Sequence, residues 1–200
     1  MSLDSMKNWG FLTIVEHQRL GLIGGYLVLN SLGRPVEFHC TTPVRANRAQ
    51  EILYGPTLDA FLYGEQIAQI LITRAKIKPY AVLTDQTQVL AVQEFVEMPV
   101  SYIKNEVHTC EKQIRIYGSG TFDSSGGNGR VMANIASVPG LSPYRWSEQS
   151  VGRYTLTVPE LTVRSTISTV DELKTVATAI DFHEPFERIR LAIEEAQKAA

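Results

Sequence analysis

Apolar residues fall in short, closely spaced runs at the start of the chain, then shift to a helical repeat, then return to short runs. Residues 11–15, 26–29 and 36–41 are compact, apolar and β-prone. Asn30, Ser31 and Gly33 supply turn residues between the second and third run, which predicts an antiparallel opening meander. Residues 49–54 read as a helical turn that Gly55-Pro56 stops. From Leu58 the apolar positions Leu58, Phe61, Leu62, Ile67, Ile70 and Leu71 recur near the helical period. Thr57 can cap this helix, Arg74, Lys76 and Lys78 complement its negative end, and Pro79 is its expected stop.

Residues 80–83 predict the next strand, and residues 99–103 another. Between them a helix is expected, capped by Thr84 or Asp85 with Gln88 completing a capping box, and with Val89, Val92 and Val96 on one face. Strand, short helix and strand form a βαβ unit, which makes parallel neighbours. Asp85 would then sit at the carboxyl end of a strand, where ligand crevices form.

Beyond Asn105 the expected elements are a strand at 112–117 and a mobile loop at 118–129, rich in Gly, Ser, Asn and Asp. Paired strands at 153–158 and 161–167 around Pro159 follow. Thr169 with Glu172 predicts a capping box for a helix to about Ile180. A last helix is expected from near Asp181, with Pro185 in its first turn. Its stripe of Phe182, Phe186, Ile189 and Ile193 should dock on the core. The fold class expected is α/β (α+β): a mixed β-sheet with an antiparallel N-terminal meander, a βαβ unit and flanking helices. Residues 1–104 read as the mixed core, and residues 105–200 as a continuation of the same domain carrying the loop, a hairpin and two helices.

Composition narrows the function classes. A content of 44% hydrophobic residues in 200 is enough for a sizeable core. The net charge of -2, from 19 basic and 21 acidic residues, provides no global field toward polyanions or membranes. No apolar run reaches the roughly 18 residues of a membrane span, and residues 1–5 lack an export signal, so the cytoplasm is the expected compartment. Cys40 and Cys110 are too few for a disulfide framework. His39-Cys40 and His108-Thr109-Cys110 together offer four zinc-type ligands, yet adjacent strand residues point to opposite faces, so the spacing argues for plain thiols. Gly118-Ser119-Gly120 and Gly126-Gly127-Asn128-Gly129 lack the Lys-Ser/Thr ending of a phosphate-binding loop. Arg45, Arg48, Arg74, Lys76 and Lys78 read as solvated helix ends rather than a phosphate site.

Four stretches occur in a meaningful order: Gly24-Gly25-Tyr26, Thr41-Thr42, Asn47-Arg48-Ala49-Gln50-Glu51-Ile52 and Thr84-Asp85-Gln86. In this order, within the first half of the chain, they resemble the ribonuclease H fold. The resemblance implies carboxylates that hold two Mg²⁺ or Mn²⁺ ions for phosphodiester cleavage. Asp85 falls on the family's strand-four aspartate. The family's helix glutamate position holds Gln50, with Glu51 one place along, and the first-strand aspartate position lies near Ile14, with Glu16 the nearest acid. Gly55-Pro56 also breaks the family's first helix.

Two functional expectations follow. The first is a non-catalytic protein- or ligand-binding module that needs no cofactor and takes a protein or small molecule as partner, with a homo-oligomer as one form. The alternative is a ribonuclease H-like metal-dependent nuclease using Glu16, Glu51 and Asp85 with Mg²⁺ or Mn²⁺, and only then is nucleic acid the partner. A nuclease of this kind requires the three carboxylates to converge.

Overall fold

The computed structural model describes residues 7–104, 145–160 and 163–198. Among the described residues seven strands, β1 (Trp9–His17), β2 (Gly21–Leu29), β3 (Pro35–Cys40), β4 (Ala81–Thr84), β5 (Val100–Ile103), β6 (Trp146–Val151) and β7 (Tyr154–Pro159), form one mixed sheet in the order β3-β2-β1-β4-β5-β7-β6. The meander is antiparallel: β1 (Trp9–His17) pairs with β2 (Gly21–Leu29), and β2 with β3 (Pro35–Cys40). Side chains close its turns. His17 Nδ1 accepts from the amides of Arg19 and Leu20, both at 3.2 Å. Asn30 Oδ1 accepts from those of Leu32 and Arg34, both at 3.0 Å, while Gly33 supplies the positive φ of 73°.

The βαβ unit forms with parallel neighbours, as expected. β4 (Ala81–Thr84) lies parallel to β1, and β5 (Val100–Ile103) parallel to β4. The connecting segment differs from expectation. It is a 3₁₀-helix, Thr87–Glu94, whose N-cap Gln86 makes no side-chain cap bond, so the predicted capping box does not form. Gln86 instead turns its amide onto β1, donating to Ile14 O and accepting from Ile14 N, each at 2.8 Å. Buried Gln93 then ties the segment's end to β5, accepting from the Val100 amide at 2.7 Å and donating to Val96 O and Met98 O.

Two helical layers cover the sheet. On one face α1 (Arg48–Tyr54) leads through a 3₁₀ turn to α2 (Leu58–Ala60), a π-helical stretch Phe61–Gln69 and α3 (Ile70–Arg74). Ile67, Ala68, Leu71 and Ile72 of this rod cluster with Leu12, Ile14, Tyr26 and Val28. The rod stops at Arg74, so Lys76 and Lys78 lie beyond it rather than at its charged end. On the other face α4 (Val163–Val176) and α5 (Glu184–Lys198) contribute Leu173, Phe186, Ile189 and Ile193 to a cluster with Phe11, Leu27 and Leu83. Phe182, Phe186, Ile189 and Ile193 are buried, so the last helix docks on the core as its stripe predicts.

Gly24 and Gly25 permit this sandwich. A Cβ on Gly24 would stand 2.2 Å from Ile67 Cγ2, and one on Gly25 would stand 2.2 Å from Ile189 Cγ2. Neighbouring strand residues face opposite ways, so each glycine admits a helix to one face.

The second half departs from expectation in its pairing. The hairpin is β6 (Trp146–Val151) with β7 (Tyr154–Pro159), turning at Gly152 with φ 60°, and β7 pairs antiparallel with β5. Residues from Val163 are helical rather than a second strand around Pro159, because α4 begins six residues before the expected cap. Thr169 therefore lies inside α4, buried, instead of capping it. The strand expected at 112–117 and the loop at 118–129 lie outside the described residues.

Candidate functional site

Asp85 follows β4 directly, on the sheet face that α5 covers. Parallel pairing brings Leu12 opposite Thr84, so Asp85 falls beside Thr13 of β1. The Asp85 side chain is only 6% exposed, and Oδ2 accepts a charge-assisted bond from Arg190 of α5. Arg190 also donates to Glu187 Oε1 at 2.7 Å. Asp85 Oδ1 and Thr13 Oγ1 are buried with no hydrogen-bond partner among the described residues. Burial, and second the Asp85 charge, raise the Tyr102 phenol above its ordinary value.

The three acids singled out from the sequence do not converge. Leu12 and Ile14 belong to the rod side of the sheet, and strand alternation carries exposed Glu16 to that same side, opposite Asp85. Tyr63 of the π-helical stretch senses Glu16 there. Its phenol is pushed up to about 12 by burial first, then by Asp59 and Glu16. Glu51 lies on α1, a helix that buries none of its residues, and pairs with Arg48 at 2.9 Å. Gln50, at the family's glutamate position, is consumed in the N-terminal capping box. It accepts from Asn47 N at 3.0 Å, and its own amide donates to Asn47 Oδ1 at 2.9 Å.

Among the described residues no group of three or more His, Cys, Asp or Glu is placed to hold a metal ion. Glu16 and Glu51 thus stand apart from Asp85 among the described residues, and a guanidinium supplies the positive charge beside Asp85. The thiol and histidine pairs fare similarly. Cys40 is free and exposed, and His39 Nε2 lies 2.7 Å from Glu37 Oε1. His108 and Cys110 lie outside the described residues.

Arg190 also lines a cleft of about 420 Å³. Val15, Ile23 and Ile193 provide its apolar walls, while His17, Arg190 and Lys198 lie among its polar residues. That volume lies within the usual range for small-molecule sites.

A second built cluster centres on Glu37 of β3. Glu37 accepts from the amides of Lys76 at 2.9 Å and Ile77 at 2.8 Å, besides its contact with His39. These bonds, the Lys76 amide first and His39 next, lower its carboxyl from 4.5 to about 2. Sequence reasoning missed both Glu37 and Arg190. Signals for each were present: Arg190 flanks the Ile189–Ile193 stripe one step round the helix, and Glu37 alternates with Val36 and Phe38.

No family model matches the chain, and no curated protein matches it. Some solved structures are similar at a low level. One is a variant of Ciona intestinalis endonuclease V in complex with a 23mer DNA containing an inosine followed by a ribo-adenosine, at 12% identity and TM-score 0.32. It covers 51% of this chain and 48% of that one. Another is endonuclease V of the same organism with a 24mer DNA, at 13% identity and TM-score 0.30, with the same coverage of 51% and 48%. Human ENDOV shows 13% identity and TM-score 0.27, over 56% of this chain and 52% of that one. The chain thus spans about half the length of these structures, and likeness at this level adds nothing to the strand pairing described above. The fold class rests on that pairing: a seven-stranded mixed sheet with flanking helices. Among the described residues no helix is long and apolar enough to cross a membrane.

Proposed function

We propose that the chain is a non-catalytic binding module on a ribonuclease H-like sheet, in which Arg190 replaces metal ions as the counter-charge to Asp85. The pairing β3-β2-β1-β4-β5, an antiparallel meander followed by two parallel strands, supports the ribonuclease H-like part of this reading. The Asp85–Arg190 ion pair carries the functional part. A cation pair needs several carboxylates to offset its own repulsion. Here the neighbouring β1 position is Thr13, while Glu16 and Glu51 lie elsewhere. The cleft that Arg190 lines, with its apolar walls and with Glu194 beside the basic residues, suits a peptide side chain or a small amphipathic molecule.

The test is metal titration of the full chain, followed by thermal melting and by cleavage assays on single- and double-stranded nucleic acid. The expected result is an unchanged midpoint at millimolar Mg²⁺ or Mn²⁺ and no metal-dependent cleavage. A ligand that binds only the folded state at 100 times its Kd would stabilise it by about 2.7 kcal/mol. A metal-dependent rise in midpoint together with cleavage that Asp85→Asn abolishes would overturn the reading in favour of a nuclease.

A further inference from the structure

Among the described residues the two edges of the sheet are unlike. β6 carries exposed Glu148 and Ser150 along its length, a polar edge of the kind that discourages pairing. β3 exposes Val36 at 42%, Phe38 at 40% and Cys40. Its single acid does not guard the edge, since Glu37 is turned onto the Lys76 and Ile77 amides. The Thr41 amide donates to Gly24 O, so alternation directs the amides of Phe38 and Cys40 away from β2. The register irregularity at Val28/Leu29 lies ahead of Glu37, which leaves residues 37–40 as a regular row.

We propose that β3 pairs antiparallel with β3 of a second copy of this chain across a two-fold axis, joining the two sheets. Such an axis, perpendicular to the sheet, preserves its faces, so only residues that share a face can meet. A register centred on Glu37 would set two like charges directly opposite, which is destabilising. The register centred on Phe38 lies within the regular row of residues 37–40 and stacks Phe38 on its mate. It also sets each Glu37 opposite the second copy's His39, a hydrogen-bonding partner of the kind Glu37 already contacts within its own chain, so no like charges face each other and the apolar Phe38 positions meet. Leu32, at the tip of the same hairpin, is also exposed. Pairing of this kind is isologous and closes at two copies, which separates it from open-ended aggregation. Pairing through β3 is independent of the binding reading above, because it involves the sheet edge rather than the cleft that Arg190 lines and is measured as mass.

The experiment is light scattering on the full chain at tens of micromolar, with matched variants. The wild type is expected at twice the chain mass, and Phe38→Lys at the monomer mass with an unchanged circular dichroism spectrum. Phe95→Lys, at another exposed aromatic, should remain dimeric. Phe38→Cys in a Cys40→Ser, Cys110→Ser background should form a disulfide-linked dimer under mild oxidation, because directly opposed residues lie within disulfide reach. A monomeric wild type, a dimer that survives Phe38→Lys, or no cross-link through position 38 would each overturn the proposal.

Discussion

Asp85 and Glu37 are both largely shielded carboxylates on strand ends or edges, and the chain satisfies them by different means. Asp85 depends on one side chain from a distant helix, with Arg190 lying 105 residues along the chain. Glu37 is held mainly by backbone, through two consecutive amides in the segment after α3. Backbone donors stay in place whatever residues carry them, so the Glu37 arrangement tolerates change at positions 76 and 77. The Asp85 arrangement does not tolerate loss of Arg190, because nothing else among the described residues neutralises that carboxylate.

The largest effect should come from separating the Asp85 pair. Arg190→Ala leaves a shielded carboxylate without its cation, and about 3 kcal/mol of stability should be lost, read as a lower urea midpoint with unchanged slope. Asp85→Asn should cost less, since it removes the shielded charge itself. The double variant Asp85→Asn with Arg190→Gln should recover part of the Arg190→Ala loss. A cost for Asp85→Asn equal to that of Arg190→Ala would break the contrast.

The Glu37 cluster should show itself through pH. A carboxyl held at about 2 against an ordinary 4.5 stabilises the fold above 4.5, and that contribution is lost as pH falls through the folded value. Melting midpoints of the wild type should therefore decline from pH 5 toward pH 2. Glu37→Gln should melt lower at pH 7 and decline less steeply over the same acid range. Parallel wild-type and variant profiles would show that the amides of Lys76 and Ile77 do not depend on this charge.

The smallest effect is expected at Glu51. Its contact with Arg48 is an exposed i,i+3 pair on a helix that buries nothing, so Glu51→Gln should change stability by under about 0.5 kcal/mol. The same substitution should leave any activity untouched, whereas a loss of function there would reinstate Glu51 as part of a site.

Much of the architecture was legible in local sequence. The meander, the parallel βαβ unit and the docking of the last helix could be read from turn residues and apolar spacing, since those signals act over a few residues. The hairpin partner of β7 was not legible. Leu161 to Ile167 and Trp146 to Val151 are both short stretches of mixed polarity, and only pairing energies across the sheet choose between them. Capping was misread for a similar reason. Gln88 and Thr169 had cap-like neighbours, yet Gln86 found better partners on β1, and α4 extended backward through Thr169.

By itself the sequence determined the periodicities, the reversal of the first three strands and the position of Asp85 at the end of β4, because each follows from residues close together in the chain. The convergence or dispersal of Asp85, Glu16 and Glu51 belonged to the tertiary structure alone. Strand alternation directs Glu16 to the opposite face, Gln50 is consumed in a cap, and α5 crosses the sheet at Gly25 to bring a cation onto the remaining acid. These outcomes depend on how faces and helices meet across long separations, which spacing in one dimension does not encode.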